Sequence, residues 1–154
     1  MKTAILAAVA LTFSLAAGGA YAQDAEAGKA EYKKCASCHA VGENAKNRVG
    51  PVLNDVMGRV AGTYEGFKFS QAMIDAGANG LVWNEETMAE FLKKPKDMVK
   101  GTKMSFAGMG NEEAVANLVA YLVTLSPNYV PAGAEGAEAS SEASSEASSE
   151  PAAQ

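Results

Sequence analysis

The sequence predicts an all-α domain. Three observations carry this: apolar residues recur at three- and four-residue spacing, the periodic stretches begin after Asp or Asn caps, and no alternating strand pattern of useful length occurs. Asp24 is placed to cap a first helix running to Lys34, with Ala27, Ala30 and Tyr32 on or near one face. Gly28 and Tyr32, four residues apart, put a small and an aromatic residue on that face. From Val41 to Asn79 the chain is irregular, punctuated by Gly42, Gly50, Pro51, Gly58, Gly62, Gly66 and Gly77, with a short helix expected around Ser70 to Ala76. Asn84 then caps a helix with Glu85 and Glu86 in its first turn, where acids are favourable, and with Met88, Phe91 and Leu92 on one face; it should end before Pro95. A loop is expected from Pro95 to Gly110. Asn111 caps the last helix, in which Val115, Leu118, Val119 and Leu122 recur until Ser126-Pro127 stops it.

The two ends are different material. Met1-Lys2, the apolar stretch Ala4 to Ala17 and the small-x-small site Ala20-Tyr21-Ala22 read as a cleaved signal peptide over residues 1–22, so the expected mature chain starts at Gln23, is exported and is periplasmic. The apolar run is shorter than the ~20 residues a spanning helix needs, and no later segment is long and apolar enough, so a soluble mature protein is expected. Residues 131–154 are almost entirely Ala, Gly, Ser and Glu with a repeated Glu-Ala-Ser-Ser unit; lacking large apolar residues, they are expected to form a disordered tail. The formal charge of -5 divides unevenly: residues 23–130 hold 12 basic and 13 acidic residues, while the tail adds five Glu and no base. The acidity therefore belongs to the tail. The domain itself, residues 23–130, is large enough for one domain but small for a large core.

Cys35-Ala36-Ser37-Cys38-His39 uses the only two cysteines and the only histidine of the chain. C-x-x-C-H is the attachment signature of a covalently bound haem c: two thiols on one turn reach two vinyl groups while the adjacent imidazole meets the iron. The rivals are weaker. A thioredoxin-like C-x-x-C needs no histidine and sits in a βαβ pattern that is absent here. Zinc would require a carboxylate as fourth ligand. A disulfide across so short a loop would stabilise little. One haem would also supply apolar bulk that the small core lacks. A second histidine ligand is impossible, so methionine is the alternative for the other axial position. Met88 lies on a packed helix face, and Met98, Met104 and Met109 all lie after Pro95; composition does not choose among these three.

The chain resembles the small class I monohaem cytochromes c, the mitochondrial type and its soluble bacterial counterparts, from about Gly28 to Leu125. The resemblance rests on the haem motif, Val49-Gly50-Pro51, Gly58-Arg59, Gly66-Phe67, Trp83-Asn84-Glu85-Glu86-Thr87, Lys94-Pro95-Lys96, Gly101 to Gly108 and Leu118 to Leu122, in family order. It implies a small cytochrome c fold with crossing terminal helices and long loops around one haem, with Gly28 and Tyr32 near Leu118 and Tyr121. It further implies Cys35 and Cys38 as thioether sites and His39 and Met104 as axial ligands. By the same likeness the Pro51 carbonyl holds the His39 ring, Arg59 and Trp83 look toward a haem propionate, and Thr102 joins that polar network. Where relatives carry tyrosines this chain has Phe69 and Phe91, Lys100 replaces a proline and Met73 an asparagine.

A six-coordinate haem implies a one-electron carrier, not an enzyme, and a monomer is expected. Peroxidase or gas-sensor behaviour after loss of the methionine ligand is the alternative, and a tail serving as tether is another. Nine of the twelve basic residues of residues 23–130 flank the haem motif or the methionine loop: Lys33, Lys34, Lys46, Arg48, Lys93, Lys94, Lys96, Lys100 and Lys103. Such a rim would steer the protein to acidic docking surfaces on periplasmic or membrane-bound donors and acceptors. Nucleic acid is not expected as a partner, because the domain is not basic overall and the patch lacks interleaved aromatics.

Overall fold

The computed structural model describes residues 24–131. The expected signal peptide and the tail beyond Pro131 lie outside the described residues. Among the described residues five α-helices follow one another: α1 (Ala25–Glu31, extended by a 3-10 turn over Tyr32–Lys34), α2 (Gln71–Ala78), α3 (Glu85–Lys93), α4 (Pro95–Met98) and α5 (Glu112–Thr124). There is no named strand among the described residues; a single antiparallel bridge joins Val60 to Val82.

Each longer helix starts where a side chain can satisfy a free backbone N–H. Asp24 accepts from the amides of Glu26 and Ala27 at 2.8 and 3.1 Å, and Ser70 from that of Met73 at 3.2 Å. Asn111 accepts from Ala114 at 3.0 Å. Asn84 forms a reciprocal capping box with Thr87, whose hydroxyl accepts from the Asn84 amide at 2.9 Å while Asn84 accepts from the Thr87 amide at 2.8 Å. The expected loop after Pro95 is instead opened by α4. Proline has no N–H to lose at the first helical position, so the residue that ends α3 starts the next turn.

The terminal helices cross backbone against backbone at Gly28. A Cβ on Gly28 would lie 1.9 Å from the Asn117 carbonyl oxygen, so only glycine permits the approach. The Tyr32 and Tyr121 rings meet at 5.6 Å and the Asp24 amide donates to Asn117 Oδ1 at 2.9 Å. The crossing is therefore centred on Asn117 and Tyr121. Val115, Leu118 and Val119 of α5 are almost fully buried beneath it, with Met88, Phe91 and Leu92 of α3 in the same core.

A second close approach builds the far side of the domain. The Gly58 amide donates to the Trp83 carbonyl at 2.7 Å, the Trp83 amide to Arg59 at 2.9 Å and the Ala61 amide to Leu81 at 2.9 Å. Gly77 of α2 rests on this ladder, where a Cβ would fall 1.9 Å from the Ala61 carbonyl oxygen. The ladder is too short to alternate visibly in sequence. Its consequence is that Arg59 and Trp83, 24 positions apart, are held side by side.

Candidate functional site

A cavity of about 380 Å³ lies between α3, the loops on either side of α2 and the segment after α4. His39, Cys35 and Cys38 reach it from the 3-10 end of α1, where the amides of Cys38 and His39 both donate to the Cys35 carbonyl, at 3.0 and 2.9 Å. The two thiols are not bonded to each other. His39 Nδ1 donates to the Pro51 carbonyl at 2.7 Å. A carbonyl can only accept, so this bond places the ring proton on Nδ1 and leaves the Nε2 lone pair free. Burial holds the imidazole below its ordinary pKa, against the opposing pull of the Pro51 bond, and keeps it neutral. Gly50, read from the sequence only as punctuation, has a further task. A Cβ there would lie 2.4 Å from His39 Cε1, so the ring can sit in place only over glycine.

Of the three methionines after Pro95, Met104 alone lines the cavity. Met109 is buried in the core with its amide on the Leu92 carbonyl, and Met98 belongs to α4. The Met104 amide donates to Thr102 Oγ1 at 3.2 Å, which fixes the turn that carries the thioether. Around it the wall is apolar: Met73, Met88, Phe91, Leu92 and Phe69. The Phe91 ring meets the buried Trp83 ring at 4.9 Å in a tilted contact, and neither phenylalanine offers the sulfur a hydroxyl. Met73 and Met88 are further thioethers facing the same space, a feature the helical pattern alone could not distinguish from core packing.

Arg59 supplies the cation. Its guanidinium donates to the Asn54 carbonyl and lies 4.5 Å from the centre of the Tyr64 ring. Burial draws its pKa below the ordinary value, although a guanidinium remains charged at any physiological pH. Thus Cys35, Cys38, His39, Pro51, Arg59, Trp83, Thr102 and Met104, the residues singled out from the sequence, all line one cavity.

The cytochrome c family profile matches residues 25–126. The chain belongs to the cytochrome c family. It is 50% identical over 105 residues to cytochrome c2 of Afifella marina, covering 68% of this chain and 85% of that one. It is 48% identical over 95 residues to cytochrome c-550 of Bradyrhizobium diazoefficiens, covering 61% and 67%. The structure of cytochrome c2 from Rhodospirillum centenum superposes with a TM-score of 0.65 at 37% identity, covering 68% of this chain and 99% of that chain.

This cytochrome c is accordingly an all-α electron-transport protein that carries one covalently attached haem c. The residues present fit the group. Two unbridged thiols stand one turn apart, a neutral imidazole offers Nε2, and an apolar cavity carries a cation on its wall.

Proposed function

We propose that the protein is a soluble, monomeric, periplasmic carrier of single electrons, with His39 Nε2 and the Met104 sulfur as axial ligands and Cys35 and Cys38 as the thioether sites. Bound haem c supplies an iron that cycles between the ferrous and ferric states, and a thioether ligand favours the ferrous one. The observation that carries this reading is the presence of His39 and Met104, each oriented by a backbone bond, in the wall of one apolar cavity. With two side chains as ligands no position is left for a substrate, which favours transfer through the edge over catalysis. No helix among the described residues is long and apolar enough to cross a membrane. Export would remove residues 1–22, leaving the domain and its acidic tail, residues 131–154. Arg59, Trp83 and Thr102 would serve the propionates, and the Pro51 carbonyl would keep His39 in its metal-binding tautomer.

The basic rim is the proposed docking face for acidic redox partners. Its members are not equal. Lys34 pairs with Glu31, Lys93 with Glu112 at 2.7 Å and Lys94 with Asp97 at 3.8 Å. Among the described residues Lys103 has no carboxylate within 4 Å, and it is an exposed residue of the cavity wall. Lys103→Glu should therefore slow bimolecular electron transfer at low salt by about threefold or more and flatten the fall of rate with ionic strength, while Lys34→Glu does less. Stopped-flow kinetics with an acidic partner protein across a salt series checks this. Equal rates for Lys103→Glu and the unaltered protein at low salt would rule out the rim as the docking face.

A further inference from the structure

The family match ends at residue 126, yet the chain remains ordered into its neighbours for several residues more. The Asp55 amide donates to the Leu125 carbonyl at 2.9 Å, and the Met57 amide to Ser126 Oγ at 3.1 Å. Ser126 in turn donates to Leu122 and accepts the Tyr129 amide at 2.9 Å. These bonds bring the Tyr129 ring onto Gly58, where a Cβ would lie 3.2 Å from Tyr129 Cδ2 and where the backbone has φ +81. The Tyr129 hydroxyl donates to the Glu85 carboxylate. Glu85 follows Trp83 by two residues and Gly58 precedes Arg59. Tyr129 thus touches one segment of the ladder at Gly58 and, through Glu85, the start of α3 two residues beyond the other, at the end that carries Arg59 and Trp83.

We propose that Tyr129 is a positioning residue: it clasps the Gly58-Arg59 and Trp83-Glu85 segments together and so holds Arg59 and Trp83 in register against the haem carboxylates. The inference rests on the reading of Arg59 and Trp83 given under Proposed function. Two physical points support a clasp. Burial, and then the bond to Glu85, push the Tyr129 phenol up to about 12, so it remains a donor throughout the physiological range. A hydrogen bond to a charged acceptor is also among the stronger side-chain contacts. Because Arg59 is fixed on one side only by Asn54 and Tyr64, the ladder is what sets its depth in the wall.

The test compares Tyr129→Phe and Tyr129→Ala with Arg59→Lys in the full-length, haem-loaded protein. One readout is amide hydrogen exchange in the ferrous state. The Gly58 and Trp83 amides should exchange about tenfold faster in Tyr129→Ala and by less in Tyr129→Phe, with the Leu118 and Val119 amides of α5 unchanged. The other readout is the pH dependence of the reduction potential. A carboxylate that loses the full influence of Arg59 ionises at higher pH, so the inflection should move up in Tyr129→Ala, as in Arg59→Lys, by about a pH unit or a tenfold fall in acid dissociation constant. Unchanged exchange at Gly58 and Trp83, acceleration spread equally over α5, or a pH profile that moves in Arg59→Lys alone would each overturn the clasp. A profile unmoved by Arg59→Lys itself would instead remove the role assigned to Arg59, and the positioning role of Tyr129 with it.

Discussion

Gly28→Ala is expected to destabilise the protein by roughly 2 kcal/mol or more, although alanine is the better helix former. The two effects can be weighed. Alanine in a helix interior gains about 1 kcal/mol over glycine. Against that, the new Cβ would meet the Asn117 carbonyl oxygen at 1.9 Å, its carbon at 2.6 Å and the Tyr121 Cβ at 2.9 Å. None of these atoms can rotate away. Helix α1 must move off α5, loosening the Tyr32–Tyr121 contact and the Asp24–Asn117 bond; with backbone as the obstacle the cost lies at or above the top of the usual overpacking range, about 3 kcal/mol or more, and outweighs the gain by about 2. For a domain of this size the net loss corresponds to a fall in Tm on the order of 10 °C. Thermal unfolding of the haem-loaded protein checks it, with Gly110→Ala as a control because nothing lies within 4 Å of a Cβ there. A Gly28→Ala protein as stable as the parent would mean that the crossing is looser than described.

Much of this arrangement is legible in the sequence where the cause is local. Asp24, Asn84 and Asn111 mark helix starts because a cap bonds within three residues of itself, whereas Ser70, expected inside its helix, is the cap of α2. The haem motif is legible because two thiols and an imidazole must share one turn. What is decided over distance is not legible. Helix α4 is hidden because a four-residue turn has no periodicity and Pro95 reads equally as a stop and as a first residue. The ladder that sets Arg59 beside Trp83 shows no alternation, since only one bridge is formed. Composition leaves Met98, Met104 and Met109 equal; the Leu92 carbonyl that captures the Met109 amide separates two of them only after folding. Family likeness implies Met104, and of the three only Met104 lines the cavity. Tyr129, past the proline that ends the last helix, gives no sign of its bond to a carboxylate 44 positions earlier.

Met104→Ala should change the protein's chemistry outright. Alanine offers no donor atom, so the weak near-infrared sulfur-to-iron band of the ferric protein should vanish and the reduction potential should fall on the order of 0.1 V or more, given the range that axial ligands span. An open position would admit small molecules, so peroxide turnover should rise. Met98→Ala and Met109→Ala should keep the band, because neither side chain lines the cavity. The fold should survive the change, since Met104 is only half-buried and the α1–α5 crossing lies elsewhere. Loss of the band in Met109→Ala with retention in Met104→Ala would require a different register for the segment after Gly101.

The carrier reading as a whole meets its most direct test in a spectroscopic redox titration of the purified, haem-loaded protein. It predicts a reversible one-electron couple with low-spin, six-coordinate spectra in both oxidation states and the sulfur-to-iron band present in the ferric form. A resting protein with a five-coordinate, high-spin spectrum would contradict it and make the iron a site for substrate.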